Sequence, residues 1–233
     1  MSHPENLTLK ESQEIPGILR IGVDLDANVN DIDTWVCRLV KRGLGVDVRS
    51  ILEQRPVNFW LDDWPEIKAI PNGPAFIKEL FRKSFIYDNA IPIEGAIEKL
   101  NQWREQGHQI WFITARSEET LGQETLNWFE RNSLAWGQER IFFSDGDRVE
   151  FKTRQSQNLD LHLLIEDHAP TTREAGSLSM MAKLVLKYPW NMAEEIGFQA
   201  IYLNNWQEMD EMVQTASCWH YFLFSQNVNV AQY

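Results

Sequence analysis

The chain has 233 residues, enough for one complete hydrophobic core and a small inserted subdomain. Hydrophobic residues make up 43% and charged residues 24%, a globular composition that excludes intrinsic disorder as the general state. The formal net charge of −12 argues against a nucleic acid polymer as partner, since a polyanion would be repelled.

Cysteine content and hydropathy predict the compartment. Cys37 and Cys218 are too few for a disulfide framework, which is typical of a reducing cytoplasm. The first 17 residues lack the apolar segment of a signal peptide. No apolar run approaches the ~20 residues that a membrane span needs. We therefore expect a cytoplasmic protein with no membrane partner.

Taken in chain order, the sequence alternates between short apolar runs and helical patterns. Apolar runs predict strands at 18–25, 108–115, 140–144, 162–167, 182–188 and 199–204. Helical spacing predicts helices over 93–107, ending at Gly107, and over 117–132, with Ser117 as N-cap. This alternation predicts an α/β fold, a three-layer Rossmann-like parallel sheet with helices on both faces.

Residues 30–90 interrupt the alternation with many aromatic and turn residues and without a strand of the buried parallel kind. We expect them to form a small helical cap inserted after the first strand, over a core made of 18–29 and 91–213. Residues 1–17 are then an N-terminal extension and 214–233 a C-terminal tail. The apolar start of the tail predicts packing on the body or on a second subunit, so a homodimer stays open.

Polar side chains lie near the ends of four predicted strands, where ligands bind in parallel α/β sheets. Magnesium prefers carboxylate oxygens, an aspartate can form an acyl-phosphate, and a second carboxyl group can move a proton. Each residue alone has a simpler interpretation as a solvated loop, a cap or a surface charge. The four groups together, each near the end of a predicted strand, favour one shared site. In chain order, the candidate residues at these four strand ends are Asp24 and Asp26, then Thr114, Ala115 and Arg116, then Lys152, and last Glu166 and Asp167.

The segments "DLDAN", "FITAR", a lysine and "LLIEDHAPT" resemble the four motifs of the haloacid dehalogenase superfamily. The long segment from "FRKSF" to "FITAR", with "LKYPWN" and the tryptophan near "LNNWQEM", is similar to the cytosolic 5'(3')-deoxyribonucleotidase branch. The likeness covers roughly residues 18 to 213. It implies a Mg²⁺-dependent phosphate monoester hydrolase for nucleoside 5'-monophosphates, including deoxyribonucleotides. A phosphatase for another small metabolite and a non-catalytic phospholigand-binding protein stay open.

The resemblance also implies roles for the matched residues. Asp24 would be the nucleophile, and Asp26 would act as acid and then as base. Thr114 and the N–H group of Ala115 would hold phosphate oxygens, and Lys152 would balance charge between Asp24 and phosphate. The implied metal ligands are Asp24, Asp26 through its backbone carbonyl, and Glu166 or Asp167.

Two departures from the family pattern affect these expectations. Ala27 and Asn28 replace a glycine and a small or branched residue, and we expect Ala27 to avoid the left-handed backbone region, which would tighten or shift the turn. Glu166 replaces an aspartate, and its extra methylene would move the carboxylate by about 1.5 Å. Neither change removes a catalytic group.

Three further features have two interpretations each. Arg116 could meet phosphate or form a salt bridge to Glu118 or Glu119. His168 could touch a ligand or be solvated. Most aromatic residues of the insertion are expected to pack in a core, and one or two could stack on a nucleobase. The candidates for stacking are Phe59, Trp60 and Trp64.

Overall fold

The computed structural model describes residues 17–177, 181–192, 194–197 and 200–230. The strands are β1 (Arg20–Val23), β2 (Asn30–Asp31), β3 (Ile91–Pro92), β4 (Gln109–Thr114), β5 (Ile141–Phe143), β6 (Leu163–Ile165), β7 (Ala182–Leu186) and β8 (Ala200–Leu203). The α-helices are α1 (Asp33–Leu44), α2 (Val48–Gln54), α3 (Pro65–Lys68), α4 (Gly73–Leu80), α5 (Ser84–Asp88), α6 (Ala96–Glu105), α7 (Glu118–Arg131), α8 (Arg148–Asn158), α9 (Ala169–Ser177) and α10 (Trp206–Val230).

Six strands form one sheet in the order β5-β4-β1-β6-β7-β8, and every neighbouring pair is parallel. All six predicted strands are present, each shorter than the apolar run that predicted it, as expected for strands whose last residues continue into loops. β1 lies at the centre with β4 on one side and β6 on the other. The loops that follow these three strands therefore meet at one edge.

Helices cover both faces of the sheet. Successive side chains of a buried strand point to opposite sides, so both faces are apolar and each packs against helices. On one face, Phe112 of β4 belongs to a buried cluster with aromatic residues of α6, α7 and α10, namely Trp103, Trp128 and Trp206. On the other, Ile113 clusters with Phe151 of α8 and Ala175 of α9. The predicted three-layer α/β fold is confirmed.

Two helix ends show how the sequence signals work. Ser117 occupies the predicted N-cap position of α7, but its side chain makes no capping hydrogen bond. Gly107 follows the end of α6 and has a φ of 92°, a conformation that glycine adopts without strain. The helix end at Gly107 was thus predicted for the right reason.

The segment between β2 and β3 is helical, with α1 to α5 and a short 3₁₀-helix, Leu61–Asp63. β2 and β3 pair antiparallel through Asn30 and Pro92, so the chain leaves and re-enters the core at adjacent points. Val36 and Ile77 of this segment belong to the same buried cluster as β1. The cap insertion has the expected helical character, and its treatment as a separate domain stays a prediction.

The C-terminal helix α10 runs unbroken across residues 213 and 214, the predicted start of the tail. Val213 is fully buried against the body, whereas Trp219 is 62% exposed. Residues 1–16 of the predicted extension and 231–233 of the tail lie outside the described residues. Among the helices described, none combines the length and hydropathy required to cross a bilayer.

Candidate active site

The parallel sheet brings the four predicted motifs to one edge. Asp24 follows β1, Thr114 ends β4, and Glu166 and Asp167 follow β6. Lys152 lies in α8 and has no exposed surface. Because β4, β1 and β6 are neighbours, the residues after their carboxyl ends face the same space.

Lys152 joins two of these motifs. Its Nζ lies 2.9 Å from Asp24 Oδ1 and 2.6 Å from Glu166 Oε2. Burial alone would lower the pKa of Lys152, but the carboxylates of Asp24 and Glu166 raise it above its usual value. Lys152 therefore stays charged beside Asp24. Its charge-balancing role stays a prediction.

Glu166 binds Lys152 through one of its carboxylate oxygens. Its other oxygen, Oε1, accepts a 3.0 Å hydrogen bond from the backbone N–H of His168. Burial alone would raise the pKa of Glu166. The positive charge of Lys152 has the larger effect, so the pKa of Glu166 lies below its usual value. The longer glutamate side chain thus spans the distance to Lys152. Asp167 is the carboxylate of this loop that contacts Asn28 in the turn after β1.

Three carboxylate residues form an acidic cluster. Asp24, Glu166 and Asp167 each offer an oxygen, and these oxygens lie within 4.8 Å of one another. Burial, opposed by Lys152 and reinforced by Glu166 and Asp26, raises the pKa of Asp24 to about 6. Burial and the charges of Glu166 and Asp24 raise the pKa of Asp167 well above its usual value. A divalent cation would relieve this repulsion, and the oxygen donor set suits Mg²⁺.

Asn28 is a site residue that the sequence predicted only as a departure from the family pattern. Its buried Nδ2 lies 3.4 Å from Asp24 Oδ2, 3.1 Å from the Asp26 carbonyl oxygen and 3.1 Å from Asp167 Oδ1. Its Oδ1 is buried and has no hydrogen-bond partner among the described residues. One amide group therefore contacts Asp24, Asp26 and Asp167, three of the residues that the family resemblance implies as metal ligands.

Asp26 faces a different partner. Arg116 contacts both of its oxygens, with Nη2 to Oδ1 at 2.5 Å and Nε to Oδ2 at 3.2 Å. Arg116 also donates to Thr125 Oγ1 and lies 4.6 Å from the ring centroid of Tyr87. Of the two interpretations of Arg116, the salt bridge to a neighbouring glutamate of α7 is wrong, because the side chain pairs with Asp26. Contact with phosphate stays a prediction.

The expectation for Ala27 is also wrong. Its φ is 61°, in the left-handed region that costs an L-residue roughly 1–2 kcal/mol. Contacts on both sides hold the turn: the N–H of Ala27 donates to the Asn30 carbonyl at 3.0 Å, and the Tyr188 hydroxyl donates to the Ala27 carbonyl at 2.6 Å. The chain therefore forms a turn here with alanine in place of glycine.

The two predicted phosphate-binding residues that remain are Thr114 and Ala115. Thr114 is fully buried and its Oγ1 accepts a 3.3 Å hydrogen bond from the N–H of Arg116. Ala115 lines a cavity of about 420 Å³ together with Asp24, Asp26 and Asp167. Their phosphate-binding roles stay predictions.

All three stacking candidates from the insertion, Phe59, Trp60 and Trp64, line this cavity. Trp64 is only 4% exposed and its indole donates to the Asn58 carbonyl at 3.0 Å, so it is mainly a core residue. Trp60 is 51% exposed. Of the two tryptophans, Trp60 is the one available to a ligand.

His168 is neither solvated nor free. It is 4% exposed, its Nδ1 lies 2.8 Å from Thr171 Oγ1, and its ring lies 4.5 Å from the ring of Phe59. Burial lowers its pKa to about 4. His168 is therefore neutral, and its ring packs against Phe59 of the insertion.

Comparisons with known proteins find similar sequences and similar folds. No family model matches the chain. It is 24% identical over 200 residues to Putative nucleotidase YqfW of Bacillus subtilis, covering 82% of this chain and 91% of that protein.

Two solved structures show the same architecture. A HAD family hydrolase from Deinococcus radiodurans R1, with bound phosphate and sodium, matches with a TM-score of 0.61 at 18% identity, over 88% of this chain and 98% of that one. A HAD-superfamily hydrolase of subfamily IA from Geobacter sulfurreducens matches with a TM-score of 0.54 at 13% identity, over 87% and 99%. The chain therefore has the fold of the haloacid dehalogenase superfamily hydrolases.

Proposed function

We propose that the protein is a Mg²⁺-dependent phosphate monoester hydrolase that acts through an aspartyl-phosphate on Asp24, with nucleoside 5'-monophosphates, including deoxyribonucleotides, as substrates. The observation that carries this proposal is the position of Asp24, 2.9 Å from the ammonium of Lys152 in the wall of a cavity of about 420 Å³. A volume of this size suits a small organic ligand. The nucleotidase name of the Bacillus subtilis relative supports the choice of substrate.

The carboxylates of Asp24 and Asp167 and the backbone carbonyl of Asp26 would hold the metal, and Glu166 would position Lys152. When bound, the ion would screen the charge between Asp24 and the phosphate and polarise the phosphoryl oxygens. Lys152 supplies a fixed positive charge on the same side as the nucleophile.

In the first half of the reaction, an Asp24 oxygen attacks phosphorus, the bond to the leaving oxygen breaks, and Asp26 donates a proton to that oxygen. In the second half, Asp26 takes a proton from the water that attacks the aspartyl-phosphate, which frees Asp24 and phosphate. Arg116 contacts both carboxylate oxygens of Asp26. Proton donation in the first half requires this contact to weaken when substrate enters.

A phosphate-release screen of 5'- and 3'-monophosphates, with and without MgCl₂, tests the proposal. We expect Mg²⁺-dependent release from 5'-nucleotides and none from Asp24→Asn, since an amide cannot form the acyl-phosphate. Asp145→Asn is the matched control, because Asp145 is an exposed carboxylate paired with Arg154 on α8. Retained turnover in folded Asp24→Asn would contradict the nucleophile assignment. Release only from other esters would favour a different metabolite, and phosphate-ester binding without release would favour a non-catalytic binding protein.

A further inference from the structure

Arg148 is a cavity residue that the proposed reaction does not use. It is the first residue of α8, is half-buried, and lines the same cavity as Asp24. Its guanidinium lies 5.0 Å from the ring centroid of Phe59 and 5.6 Å from that of Trp60. Two aromatic rings of the insertion therefore hold this cation in the cavity wall.

The other cations around the cavity have carboxylate partners. Lys78 lies 3.5 Å from Asp62, and Arg82 lies 3.8 Å from Glu79. Lys152 and Arg116 are paired with Asp24 and Asp26. Arg148 has no ion pair with any carboxylate in the part of the chain that the structure describes. Its donor groups are open to a bound ligand.

Arg148 and Lys152 lie about one helical turn apart on α8. Residues four apart on a helix lie on the same face, roughly 6 Å apart along the axis. Lys152 points to the nucleophile Asp24, where the reacting phosphate would lie. Arg148 presents a second positive charge one turn earlier, beneath the insertion. A guanidinium in such a place matches a phosphate or carboxylate by two parallel hydrogen bonds.

We propose that Arg148 determines specificity by binding a second anionic group, a phosphate or a carboxylate, on the alcohol part of the substrate. This inference rests on the proposed phosphatase function of the same site. The protein then distinguishes substrates by charge as well as by stacking, because the guanidinium of Arg148 lies against the rings of Phe59 and Trp60 in the cavity wall.

Two matched substrate pairs test the inference and separate the two anions. One pair is a nucleoside 3',5'-bisphosphate and its 5'-monophosphate, and the other is a phosphorylated hydroxy acid and the corresponding phosphorylated alcohol. We expect the wild-type protein to prefer the doubly anionic member of one pair by roughly 10- to 100-fold in kcat/KM. The pair that shows the preference identifies the second group.

Three variants locate the preference. Arg148→Gln should remove it while changing the rate on the singly anionic partner little, and Arg148→Lys should retain part of it. Arg154→Gln should keep it in full, because Arg154 is an exposed arginine on the same helix that pairs with Asp145 at 2.8 Å. A loss of the same factor on both members of each pair would overturn the inference.

Binding measured without turnover keeps this test separate from the proposed function. Calorimetry with the Asp24→Asn protein and MgCl₂ should show the same preference, again lost when Arg148→Gln is added. If no ester is hydrolysed, the proposed function fails, but a binding preference that depends on Arg148 would still support the second-anion site. Equal affinity for both members of each pair would overturn it.

Discussion

The hydroxyl of Tyr188 donates a 2.6 Å hydrogen bond to the carbonyl oxygen of Ala27, the left-handed residue that directly follows Asp26. The ring of Tyr188 stacks on Trp190 at 4.4 Å, and the Trp190 indole donates to Asp167 Oδ2 at 2.9 Å. One segment after β7 therefore supports both the turn that follows Asp24 and Asp26 and the carboxylate of Asp167.

Tyr188→Phe should destabilise the protein by about 1–2 kcal/mol, because the Ala27 carbonyl loses its donor. It should also slow phosphate release several-fold, since the turn that carries Asp26 is less well held. Urea unfolding and steady-state kinetics measure the two effects. Tyr202→Phe is the control, because it removes a 2.7 Å bond to the Asn191 carbonyl from the edge strand β8. An unchanged rate in Tyr188→Phe would contradict the support role.

Asn28→Leu should lower the melting temperature without metal, because Asp24 and Asp167 lose a shared donor, at a cost of about 1–3 kcal/mol. The rise in melting temperature on adding MgCl₂ should be larger than in the wild type, since the cation then neutralises less satisfied carboxylates. Thermal unfolding with MgCl₂, against KCl at equal ionic strength, measures this. A magnesium shift equal to that of the wild type would show that Asn28 does not act on the acidic cluster.

Asp26→Asn should slow hydrolysis of alkyl phosphates by roughly 10²- to 10⁴-fold and of an activated aryl phosphate much less, because a good leaving group needs little protonation. Rates on the two substrate types measure the difference. Asp62→Asn, which changes a cavity carboxylate paired with Lys78, should show no such difference. Equal losses in Asp26→Asn would mean that Asp26 serves the metal or the fold more than the proton.

His168 predicts a specific pH dependence of stability. Its pKa is about 4 in the folded protein and 6.5 as a free side chain, so the unfolded chain binds the proton more tightly. Stability should fall as the pH drops from about 6.5 to 4, by up to roughly 3 kcal/mol. His168→Gln should remove this part of the pH dependence. Urea unfolding between pH 4.5 and 7.5 compares the two proteins, and parallel curves would contradict the assignment.

Trp60→Ala should reduce kcat/KM roughly 10- to 100-fold for a nucleotide and little for a small aryl phosphate, because a stacked base contributes about 1–3 kcal/mol. Trp64→Ala should instead cost about 3–5 kcal/mol of stability, since Trp64 is buried and hydrogen-bonded. Kinetics and unfolding of both variants measure these effects. If folded Trp60→Ala loses the same factor on both substrates, Trp60 is part of a lid and does not read the base.

The parts of the fold and site that depend on chain order were predictable from the sequence. Short apolar runs that alternate with helical patterns specify a parallel sheet, and its carboxyl edge gathers the residues that follow the strands. The contact between Asp24 and Lys152 follows from motif order, although the sequence gives no distance.

The parts that depend on tertiary contacts were not predictable. Arg116 has two glutamates close in sequence, yet pairs with Asp26 because β4 and β1 are neighbours. Ala27 adopts a left-handed backbone because remote Tyr188 supports the turn, so local propensity alone gave the wrong expectation. The contact of Asn28 with Asp167 and the contacts of Arg148 with Phe59 and Trp60 join distant segments that no local pattern relates.

The central place of β1 also affects how the protein folds during synthesis. β1 leaves the ribosome before the other strands, but its partners come much later, since Arg20 pairs with Gln109 and Ile21 with Leu163. Pairings between residues far apart in sequence form slowly and leave a strand unpaired meanwhile. Asp24 therefore stays without Lys152 and Asp167 until most of the chain has emerged. The acidic cluster forms only when β6 docks beside β1, so truncated nascent chains lack the site entirely.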